Sequence, residues 1–306
     1  MRLLFFKYRI AGLVSLMLIM SISFPSLALS PPVASKLAQS NAKTAVDWLN
    51  QGLQAIQAGK VQDAIAAFKQ AAKLDPTLAP AYYNLGLAYR QTGQLQPAAD
   101  AFYRATQADP KFAPAFANLG GALLEGNNLK LASDYLQRAL ELDPKLGFAH
   151  YNLGLVREQQ RDCERAIASF KKAIEYSKNA PEPPYHIGMC YLQKGNLEQA
   201  RSAFNQAVKI NPKYPEAYYN LGSILFQQNK LQEALEAFRK SAEANSNYPN
   251  AYYGAGLVFM QLKQYSDAVQ VLKFARDLYN AQKNPQWAKN AEQLLQQVQN
   301  LNYQPR

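Results

Sequence analysis

Residues 79–112 have the sequence APAYYNLGLAYRQTGQLQPAADAFYRATQADPKF, and the pattern of this stretch returns every 34 residues. Within the stretch, Tyr82, Leu85 and Tyr89 have the i, i+3, i+7 spacing of one helix face. Gly93 follows them and permits the positive φ with which a helix commonly ends. The first half of the stretch therefore predicts an amphipathic helix and a tight turn.

The second half of the same stretch predicts another amphipathic helix. Ala98, Phe102 and Ala105 again lie on one helix face. Asp109 and Pro110 end this helix, because proline cannot continue the hydrogen-bond ladder. A single hairpin of two such helices cannot bury its apolar side, so neighbouring copies must stack against one another.

Seven consecutive units keep the period without an insertion, and we number the positions of each unit from 1 to 34. Position 8 is a glycine in every unit: Gly52, Gly86, Gly120, Gly154, Gly188, Gly222 and Gly256. Position 20 is an alanine: Ala64, Ala98, Ala132, Ala166, Ala200, Ala234 and Ala268. Position 24 is a bulky apolar residue: Phe68, Phe102, Leu136, Phe170, Phe204, Phe238 and Leu272. A fixed period of this length indicates stacked helical hairpins rather than one globular core.

The glycine, the alanines at positions 20 and 27 and the proline at position 32 together resemble the tetratricopeptide repeat. The resemblance covers residues 45–282 and places the seven repeats at residues 45–78, 79–112, 113–146, 147–180, 181–214, 215–248 and 249–282. It implies an all-α, right-handed superhelical solenoid in which the first helices line a concave groove. Pro285 then begins an amphipathic stretch, and we expect residues 283–306 to form a capping helix and a tail.

Residues 1–28 have the features of an export signal. Basic residues precede an apolar run of about 15 residues, and small residues follow that run. The run is short for a membrane-spanning helix, and two outcomes are open: residues 1–28 are either a cleaved signal peptide or a retained N-terminal anchor. In both cases the repeats are expected outside the cytoplasm, in a periplasm or a thylakoid lumen. Residues 29–44 are predicted to be a flexible lead-in.

One side of the first helix in each repeat is predicted to bind a partner. At about 100° per residue, positions 2, 6, 9 and 13 face away from the buried stripe, and positions 5 and 12 flank them. Position 6 forms a polar column of Asn84, Asn118, Asn152, His186 and Asn220. Position 5 contributes Tyr83, Tyr151, Tyr185, Tyr219 and Tyr253, and position 12 ends with Leu192, Phe226 and Met260.

Two interpretations of this surface are open. In the first, the amides pair with the backbone of an extended polypeptide and the tyrosines supply broad contact area. The resemblance of the column to the asparagine ladder of O-linked N-acetylglucosamine transferases implies the same. In the second interpretation, the asparagines tie adjacent hairpins together and the tyrosines mainly pack.

The remaining chemistry argues against an enzyme. The two histidines, His150 and His186, belong to no cluster with metal-ligand spacing, and the sequence has no phosphate-binding glycine loop or nucleophile motif. The formal charge is +11, but the basic residues fall mostly on second helices, away from the aromatic column, so no nucleic-acid track is expected. We therefore expect no catalytic residues, no cofactor and no metal.

Cys163 and Cys190 could form a disulfide in an oxidising compartment, or they could remain two small buried apolar groups. The favoured function is a non-enzymatic scaffold outside the cytoplasm that binds a protein or peptide in its groove, in the assembly of the envelope or of exported complexes. Membrane contact is expected only through an uncleaved N-terminal segment. The alternative is a membrane-anchored assembly factor that acts through its convex face or by self-association.

Overall fold

The computed structural model describes residues 43–302, which form fifteen α-helices and no strand. The predicted export segment, residues 29–42 of the lead-in and the last four residues lie outside the described residues. The helices are α1 (Ala45–Gln57), α2 (Val61–Leu74), α3 (Ala79–Gln91), α4 (Leu95–Ala108), α5 (Ala113–Glu125), α6 (Leu129–Leu142), α7 (Gly147–Gln159), α8 (Cys163–Tyr176), α9 (Glu182–Gln193), α10 (Leu197–Ile210), α11 (Pro215–Gln227), α12 (Leu231–Ala244), α13 (Pro249–Gln261), α14 (Tyr265–Ala281) and α15 (Pro285–Asn302). Among them, none is both long and apolar enough to cross a bilayer.

Each hairpin turns on a residue with left-handed backbone geometry at position 15. Gly93 has a φ of 74°, as its place in the sequence predicts, and Gly59 and Gly195 are similar. Glycine adopts this region without steric cost. The other four turns place a residue with a side chain there, at φ values between 58° and 62°: Asn127, Arg161, Asn229 and Lys263.

Between hairpins, the side chain at position 31 shapes the turn that ends the second helix. Its Oδ1 atom accepts a hydrogen bond from the backbone N–H two residues later, over 2.8–2.9 Å, in Asp75, Asp109, Asp143, Asn211 and Asn245. This local bond competes with the helical ladder, so the chain leaves the helix there. The proline that usually follows prevents the helix from resuming.

Inside each hairpin, a large side chain of the second helix lies directly on a glycine of the first. In five hairpins this side chain is a phenylalanine, and its ring lies 2.4–2.7 Å from where a glycine Cβ would be: Gly52 with Phe68, Gly86 with Phe102, Gly154 with Phe170, Gly188 with Phe204 and Gly222 with Phe238. Leu136 and Leu272 take the same place in the other two hairpins. The glycine at position 8 is therefore required for the two helices to approach each other.

The hairpins stack because each second helix packs on the first helix of the next hairpin, from α2 on α3 through to α12 on α13. First helices of successive hairpins also contact each other directly, for example α5 with α7 and α11 with α13. Second helices of successive hairpins do not come as close to each other. The stack therefore bends toward the first helices, which line its inner side. The predicted all-α solenoid of helical hairpins is confirmed.

Helix α15 closes the C-terminal end of the stack, as predicted. Trp287 stacks on Tyr279 of α14 with ring centroids 5.9 Å apart and meets Tyr253 edge-on at 5.7 Å. Ala291 and Val298 are fully buried beneath the helix, while its glutamines are largely exposed. A polar outer face on the terminal helix is what an array of repeats needs to end in water.

Substituting Gly154 by alanine should destabilise the protein by about 1–3 kcal/mol, because a new methyl group would lie 2.5 Å from the Phe170 ring. The measurement is the midpoint of urea unfolding followed by circular dichroism. Gly126→Ala is the matched control, since its methyl group would meet only ordinary contacts at 3.6 Å. Equal midpoints for the two variants would show that the packing of the Phe170 ring does not require glycine at residue 154.

Candidate functional site

The predicted partner-binding residues all lie on first helices, along the inner side of the stack. We call the surface formed by positions 2, 5, 6, 9, 12 and 13 of the first helices the inner wall. The predicted tyrosines, His186 and the apolar residues at position 12 are half-buried there, and Asn118 is 8% exposed. The structure thus brings them onto one continuous surface, but most of them also have partners within the protein.

The asparagine amides are used first within their own helices. The Nδ2 atom donates to the carbonyl oxygen four residues earlier in Asn84 (2.8 Å), Asn118 (3.0 Å) and Asn220 (2.9 Å). These acceptors lie in the first turn of the helix, close to the junction between hairpins. One amide hydrogen of each of these side chains is therefore occupied before any ligand arrives.

The second amide hydrogen crosses to the preceding hairpin. Asn118 donates to the Tyr83 hydroxyl at 3.3 Å, and Asn220 donates to the Tyr185 hydroxyl at 3.5 Å. Asn152 lies against Gly121, with its Nδ2 atom 3.1 Å from where a Cβ would be, so glycine makes room for it. At these joints asparagine connects adjacent hairpins. Among the described residues, the Oδ1 atoms of Asn118 and Asn220 have no hydrogen-bond donor, so this surface offers acceptors to a ligand.

The tyrosines at position 5 pack on the hairpin core while their edges remain on the inner wall. Tyr83, Tyr151, Tyr185 and Tyr219 each contact the position-24 phenylalanine of their own hairpin, with ring centroids 5.6–5.9 Å apart. Burial raises the pKa of the Tyr83 and Tyr151 hydroxyls, so both stay protonated at neutral pH. These tyrosines contribute hydrogen-bonding groups rather than charge.

Ionisable groups of the inner wall meet across joints in two places. His186 replaces asparagine at position 6, and its Nδ1 atom lies 2.8 Å from the Glu158 carboxylate of the preceding hairpin. The His186 ring stacks on Phe170 at 5.3 Å. Arg90 forms an ion pair with Glu125 of the next hairpin. These pairs hold neighbouring first helices in register, as the asparagines do elsewhere.

Exposed apolar side chains distinguish the inner wall from an ordinary helix surface. Leu192, Phe226 and Met260, which are predicted to bind a partner, are half-buried along the C-terminal half. Sequence reasoning did not single out Leu53 and Phe148, which are each 38% exposed on the same surface. Leu53 lies at position 9 and Phe148 at position 2 of their repeats, and both positions are assigned to the groove. A search of the sequence for apolar residues at groove positions would have found them.

The two cysteines lie together at the joint between the fourth and fifth hairpins. They are free thiols that pack in the same apolar cluster, and Cys163 Sγ donates to Gln193 Oε1 at 3.1 Å. Burial raises the pKa of both thiols. A disulfide between them stays a prediction. The histidines and cysteines form no metal site, because no group of three potential ligands within residues 43–302 could hold an ion.

Both thiols should react slowly with a disulfide-exchange reagent in the native protein at pH 8. The reason is that the reactive thiolate is scarce when the pKa is raised and the sulfur is buried. After reduction, thiol titration with and without denaturant measures the difference. Fast stoichiometric labelling of the folded protein would contradict the buried arrangement. Denatured protein that titrates as having no thiols before reduction would instead reveal a disulfide.

Comparisons with known proteins agree with this architecture. A family model described as "Cilia and flagella-associated protein 70 C-terminal domain" matches residues 26–252. No curated protein matches the chain. A tetratricopeptide repeat protein from Parabacteroides merdae is 19% identical with a TM-score of 0.61, over 81% of this chain and 98% of that one.

Two further solved structures are similar. A chain in the structure of the APC/C hetero-tetramer Cut9-Hcn1 is 20% identical to this one, with a TM-score of 0.61. The match covers 70% of this chain and 42% of that one, so this chain spans less than half the length of that relative. YrrB, described as a TPR protein with an unusual peptide-binding site, is 26% identical with a TM-score of 0.51, over 64% of this chain and 99% of YrrB. Since the family match covers well over half of the chain, this protein belongs to the tetratricopeptide-repeat family described as the cilia and flagella-associated protein 70 C-terminal domain.

Proposed function

We propose that this protein is a non-enzymatic scaffold that binds an extended polypeptide along its inner wall. The tetratricopeptide fold is a scaffold for protein–protein interaction, and we propose that the inner wall is the surface that binds the partner. The observation that carries it is the combination of half-exposed apolar side chains with unoccupied amide acceptors on one surface. YrrB, whose structure is described as having a peptide-binding site, supports the proposal at 26% identity.

The chemistry of the inner wall suits an extended backbone. An extended polypeptide presents backbone N–H groups toward one side, and the Oδ1 atoms of Asn118 and Asn220 can accept from them. Alternate side chains of the polypeptide would then contact the apolar residues at positions 9 and 12. Backbone hydrogen bonds provide affinity independent of sequence, while the apolar contacts select side chains.

The C-terminal half of the inner wall is built to adapt. Met189 and Met260 lie half-buried beside Leu192 and Phe226. Methionine is flexible and polarisable, so it fits ligand side chains of different shapes. We propose that this half tolerates several apolar partner sequences rather than one.

The proposed location is outside the cytoplasm, in a periplasm or a thylakoid lumen, and the proposed work is the assembly of the envelope or of exported complexes. The support for this location is the charge and apolar pattern of residues 1–28. An alternative is supported by exposed apolar groups on the second helices, where Tyr103, Leu131 and Phe274 are 43–47% exposed. In that alternative, a membrane-anchored form acts through the convex face or by self-association.

Substituting Phe226 by aspartate should abolish partner capture, because a charge would replace the apolar contact at the centre of the adaptable half. The measurement is affinity purification of full-length protein from native cell extracts with quantitative mass spectrometry, against Leu131→Asp on the convex face. Circular dichroism and Tm confirm that both variants fold. A partner lost from Leu131→Asp but kept by Phe226→Asp would favour the convex face instead.

N-terminal sequencing of the protein purified from its native cells should give a start near Leu29. A cleaved signal of residues 1–28 ends at small residues, as signal peptidases require. A chain that begins at Met1 and sediments with membranes would contradict cleavage and support the anchored form.

A further inference from the structure

Two carboxylates of the inner wall have no cationic partner. Glu182 in α9 and Glu216 in α11 occupy position 2 of adjacent repeats and are half-buried. Among the described residues, neither carboxylate forms an ion pair with a lysine, arginine or histidine side chain. Other inner-wall carboxylates differ, since Glu125 pairs with Arg90 and Glu158 with His186.

Tyrosines lie near both glutamates along the chain, since Tyr185 follows Glu182 by three residues and Tyr214 precedes Glu216 by two. Tyr214 directly precedes α11, and its ring centroid lies 5.0 Å from that of Tyr185. Tyr248 directly precedes α13 and is the corresponding residue one repeat later. We call Glu182, Glu216, Tyr185, Tyr214 and Tyr248 the Tyr–Glu site. It lies where the N-terminal ends of α9, α11 and α13 follow one another along the inner wall.

The geometry places these groups close together. Asn220 Nδ2 donates to the Glu216 carbonyl oxygen at 2.9 Å and to the Tyr185 hydroxyl at 3.5 Å, and Glu182 lies one helical turn before Tyr185 in α9. Burial is the main cause that raises the pKa of Tyr214, and the neighbouring side chains of Tyr185, Glu216, Tyr151 and Glu182 raise it further. Burial also raises the pKa of Tyr248, with a contribution from Glu216. Burial raises the pKa of Glu216 as well, which means that its carboxylate loses water without gaining a compensating cation. Within residues 43–302, the site therefore has negative charge and aromatic side chains but no lysine or arginine paired with its carboxylates.

The whole inner wall has the same imbalance. Arg90 is the one lysine or arginine at its forty-two positions in the seven repeats, six positions in each, and Glu125 neutralises it. The chain as a whole carries a formal charge of +11. The binding surface of a basic protein is thus acidic at its centre, a pattern that attracts cationic ligands and repels acidic ones.

A glutamate in the first helical turn also stabilises its helix through the macrodipole. That role requires neither burial nor aromatic neighbours, and an exposed glutamate would serve it. Burial of Glu216 among tyrosines is explained when a cation completes the site. A cationic side chain between aromatic faces and carboxylates gains both cation–π attraction and charge-assisted hydrogen bonds.

We propose that the Tyr–Glu site binds the cationic side chain of a lysine or arginine within the partner polypeptide. The proposal rests on the function proposed above, and it adds the partner's chemistry: an extended segment in which a basic residue lies between apolar residues. The apolar residues would contact Leu192 and Phe226 of the same hairpins. The basic residue sets the register of the segment on the inner wall.

The test uses full-length protein and four capped nonapeptides of alternating serine and leucine, identical except for lysine, arginine, Nε-acetyl-lysine or glutamate at the centre. Isothermal titration calorimetry should give affinities for the lysine and arginine peptides at least tenfold higher than for the acetyl-lysine and glutamate peptides. Acetylation removes the charge and keeps the length, so this difference isolates the cation. The double variant Glu182→Gln, Glu216→Gln should reduce the tenfold preference to below threefold.

Two controls separate the site from general effects. Glu233→Gln removes an exposed carboxylate of α12 and should leave the preference unchanged. Tyr214→Phe keeps the aromatic face and should keep the preference, whereas Tyr214→Leu should lose it. Tyr214→Phe shows whether the hydroxyl is needed, and circular dichroism and Tm of Tyr214→Leu show whether its loss is merely a folding defect.

Equal affinity for lysine and acetyl-lysine peptides would overturn the cation site, as would a preference that survives in the double glutamine variant. If those peptides still bind and Phe226→Asp abolishes their binding, the inner-wall function stands without the cation site. If none of the four peptides binds, the cation site is rejected together with sequence-tolerant binding of extended peptides.

Discussion

The fold of this protein depends on a close contact, inside each hairpin, between a large side chain of the second helix and a glycine of the first. In each hairpin, the glycine at position 8 lets the ring or branched side chain at position 24 fill the space that a methyl group would occupy. That contact sets the distance between the two helices, and the four phenylalanines Phe68, Phe102, Phe170 and Phe204 are fully buried by it. Because all seven hairpins share this spacing, each presents the same faces to its neighbours. Successive hairpins can then stack with the same geometry at each joint, and the first helices come together on the inside of the bend.

The inner wall has a structural task in addition to its proposed binding task. Asn118 and Asn220 use their amide hydrogens to join hairpins and leave their carbonyl oxygens outward. Tyrosines on this surface are anchored on the hairpin core, so they contact a ligand without a large loss of side-chain entropy. A surface whose polar groups are already oriented by internal bonds is preorganised, and preorganisation lowers the cost of binding.

The 34-residue period was sufficient to predict the repeat helices, the turn at Gly93 and the stacking, because each depends on contacts that recur at fixed spacing. The C-terminal cap lies outside the period and was predicted from Pro285 and the amphipathic stretch that follows it. The period also placed the predicted inner-wall residues on one surface. It could not show which amide hydrogens are already used, because the bond from Asn118 to Tyr83 depends on how closely α3 and α5 approach. The pairing of charges was equally hidden. Glu158 and Glu216 both lie at groove positions, yet Glu158 has a histidine partner and Glu216 has no ion-pair partner in the part of the chain that the structure describes.

The packing of Trp287 in the terminal helix has a consequence for watching the molecule at work. The chain contains two tryptophans, and Trp48 lies in α1 at the opposite end, beneath the Lys43 ammonium at 4.8 Å. Linear arrays open from their extremities, since a terminal unit has a neighbour on one side alone. Each extremity of this array thus carries its own built-in fluorophore, and replacing either indole leaves a reporter for the other. Fluorescence can then distinguish fraying at the leading hairpin from release of the closing helix.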